Sequence, residues 1–318
     1  SLLLEPASTN LITYSEDLTQ SDWSKNSITV ESNAIISPDG TQNADKITKS
    51  ASNALIRQFI TTTGANTFSV YVKKGSLYWV RLYIASSTES AECWFDLENG
   101  LTGFTSGNPE SVEIVSLSNG WYKCIITKNT TDITNFRIYP SQADDDTSGT
   151  SGDIYIYGAQ VEALSYATSY IPTLSGVIQT RAAETCFGAG TASTFNSTEG
   201  VLYAELKALS ADGTNRYISL NDGTTSNRVN LFYDTNNVLR GFITGISSMA
   251  TSATITDNNK VAIKYKSGDI ALWLNGVPVA TKTDAISLSG LNSLSFDQTG
   301  GLNWYGNVKD IRVYNEAL

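Results

Sequence analysis

Hydrophobic and polar residues alternate along most of this chain with a period of two, most clearly at residues 77–84, Leu-Tyr-Trp-Val-Arg-Leu-Tyr-Ile. Successive side chains of a β-strand point to opposite faces. Val80, Leu82 and Ile84 therefore share one face and suit a core. Trp79, Arg81 and Tyr83 share the other, and suit a flat sheet surface that stacks on something. The pattern recurs. Phe68, Val70 and Val72 alternate with Ser69, Tyr71 and Lys73. Phe136 and Ile138 alternate with Asn135, Arg137 and Tyr139, and Ile154 and Ile156 with Tyr155 and Tyr157. Further strands are expected near 28–36, 44–47, 56–60, 91–97 and 121–126. Ser37-Pro38-Asp39-Gly40, Lys74-Gly75, Asn99-Gly100 and Asn119-Gly120 supply turns between them. No apolar 3.6-residue period lasts three turns, so no helix of useful length is expected.

The alternation breaks between about 160 and 190, around Ala167-Thr168-Ser169-Tyr170-Ile171-Pro172-Thr173, and then restarts. Val201–Leu206, Arg216–Leu220, Arg228–Tyr233, Val238–Ile243, Lys260–Tyr265 and Ile270–Val279 read as short strands with Gly and Asn turns. That spacing predicts sandwiches. The expected fold is all-β, with two β-sandwich (jelly-roll) domains in tandem, 1–178 and 179–318.

Composition narrows the function more than the fold. The chain has 318 residues, room for two ordinary domains, with 41% hydrophobic and only 16% charged residues. Its net charge of −10 argues against nucleic acid, whose affinity comes mostly from basic neutralisation of phosphates. There is no histidine, which removes Ser-His-Asp and Cys-His nucleophiles, His-ligated zinc and any imidazole base. Cys93, Cys124 and Cys186 fit no metal spacing; Cys93 and Cys124 either pair or remain buried thiols. No signal peptide and no apolar run near the roughly 20 residues of a membrane span is present, so membrane insertion is not expected. Ser1 leads at once into folded-looking sequence, as in a piece of a longer protein.

The non-core faces of four strands collect Tyr71, Lys73, Trp79, Arg81, Tyr83, Arg137, Tyr139, Tyr155 and Tyr157. Aromatic rings cover the C–H patches of sugars, while Arg, Lys and Tyr hydroxyls bond the rim. These nine residues are the expected ligand-binding set, for a polysaccharide or cell-surface glycan, and the cations among them point to an anionic one. Trp94, Trp121, Trp273 and Trp304 read as packing residues, and Tyr203, Glu205 and Lys207 as a solvated face. Asp144-Asp145-Asp146 reads as a solvated loop. Concanavalin-type hydrolases carry Glu-x-Asp-x-x-Glu on one strand, and no such run occurs here. A non-catalytic binder is therefore the leading expectation. The alternatives are a structural virion segment without a glycan ligand, and a polysaccharide lyase using a Tyr/Arg face.

Two stretches resemble known families. Lys260–Val279 and the closing Gly306-Asn-Val-Lys-Asp-Ile-Arg-Val-Tyr-Asn-Glu-Ala-Leu318 resemble the laminin-G-like, concanavalin-type lectin fold over about 185–318. Asn10-Leu11-Ile12, Glu16-Asp17, Trp23 and the run Asp153–Val161 resemble a jelly-roll carbohydrate-binding module over about 1–175. That resemblance implies a structural calcium between an early Glu and an Asp of the last strand. Gly158-Ala159-Gln160 stands in place of that Asp, which leaves Glu16 and Asp17 as the residues assigned to it; no other cofactor is expected. Glu5–Leu11 together with Ala167–Pro172 looks like a cassette of tailed-phage tail and fibre proteins. It implies a virion-surface or extracellular adhesion protein, with a homotrimer by analogy.

Overall fold

Strand formation follows the alternation almost everywhere. The computed structural model describes residues 1–317, and its regular structure is nearly all antiparallel β. Among the described residues no helix is long and apolar enough to cross a membrane. The chain separates into two compact units, Ala7–Ala182, and Ser1–Pro6 together with Ala183–Leu318.

Strand β1 (Leu2–Leu4) pairs with the last strand of the chain, Leu2 opposite Val308, and Leu4 is buried in the C-terminal core. Residues 1–6, placed by sequence in the first domain, therefore belong to the second. Gln179–Arg181 pairs with Ser8–Asn10, which carries residues 179–182 into the N-terminal unit. The expected division at 178/179 follows the chain, whereas the observed one follows strand pairing at both ends.

The N-terminal unit contains β2 (Ser8–Asn10), β3 (Ser24–Asn26), β4 (Ile28–Ile35), β5 (Ala44–Lys49), β6 (Leu55–Lys74) and β7 (Trp79–Ser86). It continues with β8 (Ala91–Asp96), β9 (Leu101–Ser106), β10 (Ser111–Ser116), β11 (Trp121–Ser141), β12 (Gly152–Glu162) and β13 (Gln179–Arg181). β6 and β11 are 20 and 21 residues long and pair along nearly their whole length. Their two halves have different neighbours. The segments 66–74 and 121–130 lie in a sheet ordered β4-β5-β12-β6-β11-β10. The segments 55–59 and 135–141 lie in a sheet ordered β3-β6-β11-β7-β8-β9. The pair turns from one sheet to the other at Gly64, whose φ is +76°, and at register shifts between Thr130 and Asn135. A shift of this kind adds a residue on one strand and bends it. Between the sheets lies one core, including Phe68, Val70, Val72, Val80, Leu82, Ile84, Cys93, Cys124, Phe136 and Ile154. Cys93 and Cys124 are free thiols there, and burial pushes the Cys93 thiol up to about 12, where it is unreactive.

A polar clasp ties the ends of this unit together. Asn10 is fully buried; its Nδ2 donates to the carbonyls of Ala159 (3.1 Å) and Ile171 (2.9 Å), and its Oδ1 accepts from the N–H groups of Ile12 and Val161. Glu162, equally buried, accepts from Ser8 Oγ (2.6 Å), Gln160 Nε2 (2.8 Å), the Thr168 N–H (2.9 Å) and the Thr168 hydroxyl. Asp45, on β5, is buried with its carboxylate accepting from the N–H groups of Leu18 (2.7 Å) and Asn33 (3.0 Å). Burial raises its pKa to about 6 despite those two donors.

The C-terminal unit adds β14 (Glu199–Ala208), β15 (Arg216–Asn221), β16 (Arg228–Tyr233), β17 (Leu239–Ile243) and β18 (Met249–Thr251). β19 (Asn259–Lys266), β20 (Ile270–Leu274), β21 (Val277–Lys282), β22 (Ser293–Ser295) and β23 (Gly306–Tyr314) complete it. Two sheets form, β1-β23-β14-β19-β20-β21 and β18-β17-β16-β15-β22. Leu202, Ala204, Ile218, Leu231, Val261, Ile263, Leu272 and Trp304 fill the space between them, so this unit too is a β-sandwich.

Asn10→Ala leaves two buried N–H groups and two buried carbonyls without partners. At about 1–3 kcal/mol for a stranded group, a loss of about 3 kcal/mol or more is expected in urea unfolding of the whole chain. A loss under about 1 kcal/mol would show that the clasp does not hold the fold. Asp45 gives a pH signature. Its folded pKa of about 6 exceeds the ordinary 3.8, so between those values the folded chain binds more protons than the unfolded one. Stability from this group is then greatest below pH 4 and falls as pH rises through 6, by about 3 kcal/mol in all. The melting temperature is expected to rise from pH 7 to 5, and Asp45→Asn to flatten that slope. An unchanged slope in the variant would assign the effect elsewhere.

Candidate functional site

The bend in β6 and β11 decides where the nine sequence-selected residues go. Tyr71, Lys73, Tyr155 and Tyr157 lie in the first sheet, on the side away from the core, with Tyr71 opposite Tyr157 and Lys73 opposite Tyr155. Trp79, Arg81, Tyr83, Arg137 and Tyr139 lie on the outward side of the second sheet. The expected single surface is therefore two, on opposite outsides of one sandwich. The reason is geometric: an outward residue before the bend and one after it face away from each other.

The first group is largely covered. Tyr71, Tyr157 and Tyr170 form a three-ring cluster with centroids 5.5–6.0 Å apart, beside buried Trp121. The Tyr157 hydroxyl donates to Asp39 (2.9 Å), and that of Tyr170 to Glu16 (3.1 Å). Lys123 lies 5.6 Å from the Tyr71 ring and donates to the Thr168 carbonyl. These rings make a second small core under residues 166–173, with Tyr155 and Lys73 half-buried at its edge. They do not form a flat stacking platform.

The second sheet presents cross-strand rows of cations and rings. One row runs Arg57, Arg137, Tyr83, Glu92, and the next Tyr139, Arg81, Trp94. Arg81 is enclosed: its guanidinium carbon is 4.5 Å from the Tyr139 ring, 4.6 Å from Trp94 and 4.9 Å from Tyr83, and it forms an ion pair with Glu92. Ser106 Oγ also donates to Glu92 (2.9 Å). Arg81 is thus committed to the protein. Arg137 lies 4.9 Å from the Tyr83 ring and donates to Asn135 Oδ1 (2.5 Å) and to the Tyr139 hydroxyl (3.2 Å). Arg57 lies 4.5 Å from the ring of Phe59, which is 64% exposed, and its Nε is buried without a partner. Among the described residues neither Arg57 nor Arg137 has an ion pair, although they face each other across β6 and β11. Sequence reading passed over Arg57 and Phe59. The signal was there, since Arg57 and Phe59 alternate with Ile56 and Ile60.

Trp79 is half-buried beside Gly103 and Asp144, close enough that a Cβ on Gly103 would meet both. Asp144 accepts from the Phe104 N–H (2.7 Å), which anchors the acidic loop to β9. Trp94, Trp121 and Trp304 are buried, as expected of packing residues.

Glu16 and Asp17 line an acidic pocket of 230 Å³ with Asn43 and Asp45. Burial raises the pKa of Glu16, although Tyr170 and Asn43 donate to it and the Tyr157 hydroxyl lies 3.4 Å away. Asp17 turns toward Thr19 and Gln20, whose donors outweigh its burial and hold its pKa low. A calcium ion takes six to eight oxygens at 2.3–2.6 Å. Among the described residues no three acidic, Cys or His side chains gather into a metal-binding group, and hydrogen-bond donors occupy Glu16. Both carboxylates named for the implied calcium are thus engaged by donors of the protein itself.

No protein-family model matches the chain, and no curated protein matches it. Among solved structures it is similar to the mouse laminin α1 chain, domains LG4-5, at 11% identity and a TM-score of 0.30, over 80% of this chain and 85% of that one. It is also similar to the botulinum neurotoxin serotype D binding domain, at 10% identity and a TM-score of 0.25, over 94% and 85% of the two chains. At such scores neither likeness carries an argument about what this chain binds.

Proposed function

We propose that the chain is a non-catalytic glycan-binding protein, and that it engages an anionic polysaccharide on the outward side of the second N-terminal sheet. The observation that carries this reading is the facing pair Arg57 and Arg137, neither ion-paired among the described residues, in a chain of net charge −10. Like charges directly opposite in a sheet destabilise it, so an arrangement of this kind favours an anion that bridges them. Phe59, beside Arg57, offers an exposed ring face to the C–H side of a sugar, while Tyr83, flanked by Arg81 and Arg137, holds the second guanidinium in place. Trp79, Tyr139 and the enclosed Arg81 belong to the same surface and hold its geometry. The resemblance of Glu5–Leu11 and Ala167–Pro172 to a tail-fibre cassette supports a virion-surface setting.

A glycan array of sulfated and carboxylated polysaccharides tests this on the whole chain. Arg57→Ala and Phe59→Ala are each expected to weaken the best acidic ligand about tenfold, roughly 1.4 kcal/mol. Trp79→Ala is expected to weaken it too, and binding to fall as salt rises from low to physiological strength. Unchanged binding in both Arg57→Ala and Phe59→Ala would remove the site.

A further inference from the structure

The C-terminal unit carries a different recess, on the outward side of its six-stranded sheet. Cross-strand pairing sets Arg312, Tyr203, Ala262, Trp273 and Pro278 in one row across β23, β14, β19, β20 and β21. Ala262 is the smallest side chain in that row and sits between the two rings. Tyr203 and Trp273 stand two strand spacings apart, about 9.6 Å between backbones. The result is a trough of 340 Å³ with Ala262 and Val201 as floor, and with Tyr203, Trp273 and Tyr314 among its walls. Trp273, expected from sequence to be a packing residue, is 37% exposed, and Tyr314 is 42% exposed. The alternation explains it: Ile270, Leu272 and Leu274 turn to the core, so Trp273 turns out.

The charged residues lining the trough are both lysines, Lys260 and Lys264. Lys264 pairs with Asp269 (2.7 Å), and the nearby Arg312 and Lys309 pair with Asp310 (2.6 Å) and Glu205 (2.7 Å). Lys260 has no ion pair among the described residues. Glu205 stands directly opposite Lys260 across β14 and β19, but its carboxylate is paired with Lys309, so Lys260 stands without an ion pair among the described residues at the mouth of an aromatic-walled slot that no carboxylate lines.

The geometry points to a second, independent binding site here, for a pyranose bearing a carboxylate, such as a uronic acid residue. The ring lies over Ala262 between Tyr203 and Trp273, and its carboxylate meets the Lys260 ammonium. A volume of 340 Å³ is near the lower end of ligand pockets, about 300–1,000 Å³, and suits one or two sugar units. Nothing in this assignment depends on the arginine face of the N-terminal unit.

The test uses the full chain carrying Arg57→Ala and Phe59→Ala, so that the N-terminal face is removed. Calorimetric titration with a β-1,4-linked glucuronate tetrasaccharide and with its neutral counterpart, cellotetraose, reads the trough alone. Binding of the acidic probe is expected to persist in this background. Trp273→Ala is expected to weaken it at least tenfold, and Ala262→Leu, which fills the floor, to abolish it. Lys260→Gln is expected to remove the preference over cellotetraose while leaving weak binding to both. Absence of acidic-probe binding in the background variant overturns the trough and leaves the N-terminal reading standing. Undiminished binding in Trp273→Ala and Ala262→Leu overturns it as well, and equal binding of the two probes overturns the role of Lys260.

Discussion

Two strands, β6 and β11, belong to both sheets of the N-terminal unit, and almost every functional feature there follows from how they bend. A strand can bury only one of its faces against a core. When it crosses from one sheet to the other, its buried side stays toward the shared interior and its outward side moves to the far wall. Tyr71 and Arg57 sit on one strand, both outward, and end on opposite walls. The bend is possible because Gly64 accepts a φ of +76° and because β11 shifts register between Thr130 and Asn135. A side chain at Gly64 would meet open space, so its constraint is the backbone angle and not room.

Once separated, the two walls received different chemistry. One is covered by residues 166–173, held down through Asn10, Gln160 and Glu162. Its tyrosines bond Asp39, Glu16 and Ser15 and behave as core with hydroxyl tips. The clasp is polar because the covering segment is irregular and its backbone groups need partners in a dry setting. Ile171 donates its N–H to Gln160 (2.7 Å), and Thr173 donates its hydroxyl to the Ile12 carbonyl (2.8 Å). The other wall keeps a side open to solvent at Phe59.

Much of this was legible in the sequence, because period-two alternation reports burial directly. Val80, Leu82 and Ile84 are fully buried, and Trp79, Arg81 and Tyr83 point outward, as their spacing requires. The all-β fold and its two sandwiches follow from the same signal. The division of the nine residues between two walls did not, because alternation says which side of a strand a residue takes and nothing about where the strand bends. Cover is equally invisible: Trp121 and Tyr157 obey the outward pattern and are buried by residues distant in the chain. The error over Trp273 had another source. A Trp among aliphatics invites a packing assignment, yet its parity against Leu272 and Leu274 already assigned it to the outside.

The contrast between Arg81 and Arg57 shows what separates a structural cation from an available one. Three rings, each worth about 0.5–2 kcal/mol to a cation, and the Glu92 carboxylate neutralise Arg81 within the protein, although its Nε, like that of Arg57, is buried without a hydrogen-bond partner. A bound anion would have to displace Glu92, itself held by Ser106, before it gained anything from that guanidinium. Arg57 and Arg137 present the opposite case. Each rests on a single ring, and they repel across the strand pair at a cost of up to about 1 kcal/mol, with no ion pair among the described residues to relieve it. In the proposed site an anion between them would relieve that repulsion and gain charge-assisted hydrogen bonds. The same logic holds in the trough, where Lys264 is already matched by Asp269 and Lys260 is not. In a chain with ten more acidic than basic side chains, a cation left without a carboxylate is the scarcer arrangement, and it is there that the proposed acidic ligand would meet the least competition.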